Sequence, residues 1–145
     1  MPEKKRPLKN YSARLTTKPL DTIQEQLSYH ATSVQFHYKD GQAIALNFSM
    51  QISGREVSFR LPARIHEVEI RMYGKDTKLN ETQKKQAYVT GWANIRDWVS
   101  AQIALIETNM VKPEEVFLPY LLNENNLTLF ESMEQRQFLL ESGEK

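Results

Sequence analysis

The sequence predicts an α+β fold: a three-stranded antiparallel meander packed against a long C-terminal helix and shorter helices. Three observations carry this reading. Residues 33–61 alternate apolar and polar side chains, the period of strands with one buried face. Asp40-Gly41 and Ser53-Gly54 interrupt that alternation where tight turns belong. Residues 80–110 then carry apolar side chains at steps of three and four.

Taken in order, residues 1–9 read as a flexible basic arm. Tyr11, Ala13 and Leu15 alternate with polar neighbours, the pattern of an added N-terminal strand. Pro19 suits the first position of a helix, and Leu20, Ile23 and Leu27 extend it over 19–30. Strand patterns follow over 32–39, 42–52 and 55–61. Val34, Phe36 and Tyr38 mark the apolar face of the first. Ile44, Leu46, Phe48, Met50 and Ile52 mark the second, and Val57, Phe59 and Leu61 the third. Such a face must be covered. The covering stripe begins with Ile65, Val68 and Met72 over 63–73 and breaks at Gly74-Lys75-Asp76. Asn80 caps the long helix, whose stripe is Tyr88, Trp92, Ile95, Val99, Ile103, Ile106 and Met110; Trp98, Ala101 and Leu105 form a second apolar edge. Glu114 to Leu118 reads as a helical turn, and Thr128-Leu-Phe-Glu131 as a capping box opening a last helix. The domain spans 10–134, and 135–145 reads as a frayed acidic tail.

The 145-residue length suits one domain with a real core. The absence of cysteine excludes disulfides, thiolate catalysis and cysteine-ligated metal sites. No apolar run approaches the roughly 20 residues that span a bilayer, and no apolar segment follows the basic N-terminus as in a secretory signal. His30, His37 and His66 are not spaced as metal ligands. The five glycines lie too far apart for a phosphate loop, and no serine sits in a nucleophile elbow. Glu67/Glu69 and Glu114/Glu115 sit on elements that read as structural. No catalytic residue, metal or cofactor is therefore expected from local motifs; carboxylates from separated segments are the remaining route to a site.

Two surfaces stand out. Residues 1–18 hold six Lys or Arg against one Glu, and residues 107–145 hold eight Glu against three bases. With the arm, Arg14, Lys18, Arg60, Arg64 and Arg71 make a candidate rim for nucleic-acid phosphates or an acidic partner. The order helix, three strands, helix is similar to that of double-stranded-RNA-binding domains, with an extra helix intervening. The aromatic residues, however, fall on the apolar face rather than on a stacking platform. The second surface is Phe117, Leu118, Tyr120 and Leu121, too apolar for a free loop and suited to packing under the long helix, to a protein interface or to a homodimer contact. The polar sheet face, with Ser33, Gln35, His37, Asn47, Ser49, Gln51, Ser58 and Arg60, suits water or a partner.

Several stretches resemble a family of small uncharacterised proteins encoded by phages, prophages and some bacterial and archaeal genomes. They are Asn10-Tyr11-Ser12, Ile23 to Leu27, Val57 to Ala63 (VSFRLPA), Trp92 to Gln102 (WANIRDWVSAQ) and Glu114 to Tyr120 (EEVFLPY). The resemblance implies a mobile-element origin, and the lack of cysteine fits a cytoplasmic location in a bacterial or archaeal host. The resemblance implies no activity, cofactor or catalytic residue. The combined expectation is a non-enzymatic accessory protein that binds a host or phage protein, without a membrane. A nucleic-acid-binding accessory protein using the basic arm and arginine rim is the alternative.

Overall fold

A computed structural model of the chain describes residues 18–137. The expected arm over 1–9, the strand pattern at Tyr11–Leu15 and the tail beyond residue 137 lie outside the described residues. The elements are α1 (Lys18–Ser28), β1 (Ser33–Lys39), β2 (Gln42–Ile52), β3 (Arg55–Pro62), α2 (Ile65–Tyr73), α3 (Glu81–Glu107), α4 (Pro113–Phe117), a 3-10 turn (Leu118–Tyr120) and α5 (Leu129–Gln135). The fold is α+β, with an antiparallel sheet in the order β1-β2-β3.

The two hairpins form for the expected reason. Asp40 and Gly41 have φ of 53° and 82°, Ser53 and Gly54 of 53° and 81°. Both pairs hold the left-handed conformations of a type I′ turn, whose twist matches the strands it joins. Asn80 and Thr128 each cap a helix through a reciprocal capping box, with Gln83 and Glu131 as the returning side chains. At 27 residues, α3 is about 40 Å long. It ends at Thr108, and Asn109 follows with φ of 64°, the left-handed residue that stops a helix.

One face of the sheet carries the core. Leu46, Phe48 and Met50 of β2 and Phe59 and Leu61 of β3 are buried against Trp92, Val99, Ile103 and Ile106 of α3. Leu20, Ile23 and Leu27 of α1 close one side, and Phe117 closes another. Phe48 stacks on Phe59 with centroids 5.3 Å apart, and Phe117 meets Phe48 edge-on at 5.0 Å. On the flank, α2 approaches α3 at Gly91, where a Cβ would lie 2.6 Å from Ile65 Cδ1. A side chain at this position would have to push the movable end of Ile65 aside.

The apolar alternation of β2 is corrected at Ile44. His37 pairs with Ala45 but Tyr38 pairs with Ala43, so β2 carries a bulge with Ile44 as its extra residue. The bulge turns Ile44 outward, 42 % exposed, and buries Ala43 completely. The sheet register would next place Arg64 opposite Ala43, but β3 ends at Pro62. Helix α3 supplies the missing partners. The Ala43 N–H donates to Tyr88 Oη, and Trp92 Nε1–H donates to the Ala43 carbonyl, both at 3.1 Å. Tyr88 and Trp92, one turn apart, thus tie the long helix to the end of the sheet.

Candidate functional site

Of the arginines named from sequence, Arg60, Arg64 and Arg71 lie among the described residues and differ in their surroundings. Arg60 projects from the polar sheet face and is fully engaged. Its Nη2 donates to Asn126 Oδ1 at 2.6 Å, its Nη1 to the Asn126 carbonyl at 3.1 Å and its Nε to Asn47 Oδ1 at 3.4 Å. It pins the Asn123–Asn126 turn to the sheet rather than waiting for a phosphate. Arg64 and Arg71 are exposed at opposite ends of α2, with Glu67 between them on the same side. Lys18 opens α1, and Arg14 lies outside the described residues.

The four apolar candidates divide by direction. Phe117 is wholly enclosed, with Phe48, Phe59 and Trp98 around it, so it has no surface to offer a partner in this fold. Leu118 is 47 % exposed. Tyr120 is half-buried and stands edge-on to Trp98, with centroids 5.9 Å apart. Leu121 bridges Phe59, and Leu122 N–H donates to the Ser58 carbonyl at 2.9 Å, so this segment runs beside β3. The 3-10 turn, with Pro119 inside it, redirects the chain within a few residues, which is how one apolar stretch serves both core and surface.

Tyr120 and Trp98 wall a groove of about 220 Å³. Leu61 and Pro62 at the end of β3 form its floor, and Asn94 and Ile95 lie one turn before Trp98 on α3. Arg64 stands at its edge. On α3, positions 91, 94, 95 and 98 form one stripe, so the helix side that seats α2 through Gly91 continues into the groove. No acidic side chain among the described residues forms an ion pair with Arg64. Asp97, the nearest acid along α3, is bonded to its neighbour Arg96 at 3.0 Å. The groove is therefore mainly apolar, aromatic on two walls and positively charged at one edge.

Three other hollows are more polar or internally satisfied. The cleft of about 430 Å³ between α1 and α3 is crossed by a Ser100 Oγ–Gln26 Oε1 bond of 2.8 Å, and beside it His30 meets Glu107 at 3.1 Å. A cavity of about 400 Å³ beside β3 is lined by Glu56, Ser58 and the Asn123–Asn126 turn. One of about 270 Å³ lies between α2 and the Gly74–Thr77 loop. His66 there bonds Glu69 at 3.4 Å, the next-turn partner on its own helix. Among the described residues, no three histidine or acidic side chains group so as to hold a metal ion. Burial pushes the Tyr88 phenol above its usual value, as does nearby Tyr38, while the Ala43 N–H opposes the shift. Tyr88 faces the bulge and has no part in the groove.

The chain matches no family model, no curated protein and no solved structure. No helix among the described residues is long and apolar enough to cross a membrane. The groove joins residues that the sequence treats separately: Leu61-Pro62, Asn94, Ile95, Trp98 and Tyr120. Its one local signal is the second apolar edge on α3 that begins at Trp98, which a single buried stripe does not require.

Proposed function

We propose that this is a non-enzymatic binding protein that acts on another protein through the groove walled by Trp98 and Tyr120. The observation that carries the reading is a half-covered Trp–Tyr pair opening on an apolar floor, with exposed Leu118 and Arg64 close by in the chain. Trp, Tyr and Arg are the residues that dominate binding energy at protein interfaces, because they combine large apolar area with a polar handle. The resemblance to phage and prophage proteins fits an accessory role of this kind, and three of its stretches (57–63, 92–102 and 114–120) supply the groove. The engagement of Arg60 and the interruption of Arg64 and Arg71 by Glu67 favour this reading over nucleic-acid binding.

Site-specific photocrosslinking tests it. A crosslinking residue at Asn94 is expected to capture one partner in a prokaryotic lysate. The same residue at Gln35, on the polar sheet face, is expected not to capture it, and Tyr120→Ala is expected to abolish capture at Asn94. Equal capture from both positions, or capture indifferent to Tyr120→Ala, contradicts the proposal.

A further inference from the structure

We infer that the groove takes an extended peptide of defined chemistry: one large apolar side chain with a carboxylate within a few residues of it. This rests on the binding role proposed above and adds the class of partner. The apolar half follows from the lining. Leu61, Ile95 and the open faces of Trp98 and Tyr120 offer a pocket of about 220 Å³, room for one side chain rather than for a helix laid lengthwise. A ring or a leucine inserted there replaces water against aromatic faces, where edge-on contacts add to simple burial.

The charged half follows from Arg64. It stands at the mouth with no ion-pair partner among the described residues, and it sits just after Pro62, where the chain has left the sheet. Its guanidinium offers a planar fork that pairs best with a carboxylate. Of the nearby charges, Asp97 is held by Arg96, and Arg60 by Asn126 and Asn47; Glu67, one turn along α2 on the same side, is exposed and forms no ion pair with Arg64 among the described residues. Asn94, exposed at the groove, supplies a donor and an acceptor for the backbone of an extended chain. A helix-in-groove partner would need apolar anchors every third or fourth residue, and a single pocket of this size does not provide for them.

The test is selection from a library of random peptides displayed on phage, using the full chain as bait. The expected consensus is an aromatic residue or Leu with Asp or Glu within three positions of it. A synthetic peptide of that consensus should bind Arg64→Glu about ten-fold more weakly or worse, the scale of one lost charge-assisted contact. The same peptide with Lys in place of its acid should regain affinity for Arg64→Glu. Arg64→Lys keeps the charge without the planar fork and should bind more weakly than the parent but more tightly than Arg64→Glu. An apolar consensus without an acid, indifferent to Arg64→Glu, would overturn this inference and leave the groove itself as a docking site. Selected peptides whose binding survives both Tyr120→Ala and Asn94→Lys would overturn the groove reading as well. Concentration-dependent dimerisation that Asn94→Lys abolishes would identify a second copy of the chain as the occupant and overturn the peptide assignment.

Discussion

Trp92 and Trp98 lie six residues apart on the same helix and do different work. Trp92 is 1 % exposed. It meets Phe36 edge-on at 5.6 Å, and its indole N–H satisfies a carbonyl that the sheet leaves unpaired. Trp98 is half-buried. It leans on Phe117 and Tyr120 and keeps the rest of its ring open to the groove. Six residues along an α-helix amount to a rotation of about 240°, so the two rings leave the helix on different sides. The lesson is that a helix covering a sheet also presents a second side, and the residue type there need not change for its role to change.

Truncating each tryptophan separates the two roles. Trp92→Ala removes a fully buried ring and strands the Ala43 carbonyl, so it should cost about 3–5 kcal/mol and leave much of the protein unfolded in a urea titration. Trp98→Ala should cost about 1–2 kcal/mol, within the ordinary range for a partly exposed site, with unfolding still cooperative. Equal losses would break the comparison.

The frame of the fold was legible in the sequence for local reasons. Asp40-Gly41, Ser53-Gly54, Asn80 and the Thr128–Glu131 box act through their own backbone neighbours, so each can be read without knowing the tertiary structure. The bulge at Ile44 was not legible, because the alternation through Ile44 and Leu46 is unbroken and only the pairing with β1 reveals the extra residue. Tyr88 and Trp92 read as members of one core stripe; that they serve Ala43 depends on β3 ending at Pro62. The apolar character of the 117–122 segment is plain in the sequence, yet its split into a buried Phe117 and a partly open Tyr120 follows from the 3-10 turn. The groove was invisible for the same kind of reason. Its walls come from β3, α3 and that turn, up to about sixty positions apart in the chain.

The seat of α2 offers a sharper probe between the tryptophans. Gly91→Val forces a branched side chain against Ile65 Cδ1 and Val68 Cγ2 and should cost about 1–3 kcal/mol by overpacking. Gly91→Ala should cost less. Its Cβ meets only the movable end of Ile65 at close range, and alanine recovers about 1 kcal/mol of helix propensity. Thermal unfolding of the pair measures both.

Tyr88→Phe should cost about 1 kcal/mol at neutral pH, because the Ala43 N–H loses its acceptor. The mutation also has a pH signature. The unfolded phenol ionises near 10.0 and the folded one above it. Stability from this group is therefore whole below pH 10 and is lost as pH rises from there through the folded value. Unfolding experiments between pH 9 and 11 should show a shallower decline for Tyr88→Phe than for the parent protein.

The smallest effect on the fold is expected at Asn94. Asn94→Lys lies on an exposed helix position and should change stability by no more than about 0.5 kcal/mol, while weakening binding of a selected peptide at the groove. A large loss of stability in urea would mean that the groove is part of the scaffold.

The central claim is that the Trp98 side of α3 is a binding surface and the Trp92 side is architecture. The two indole N–H resonances of the ¹⁵N-labelled protein test it directly during titration with a peptide selected on the full chain. The account predicts that the Trp98 resonance, assigned by its absence in Trp98→Phe, shifts with saturation, while that of Trp92 stays in place. A titration that moves only the Trp92 resonance, or leaves both unmoved while the peptide binds, would contradict it.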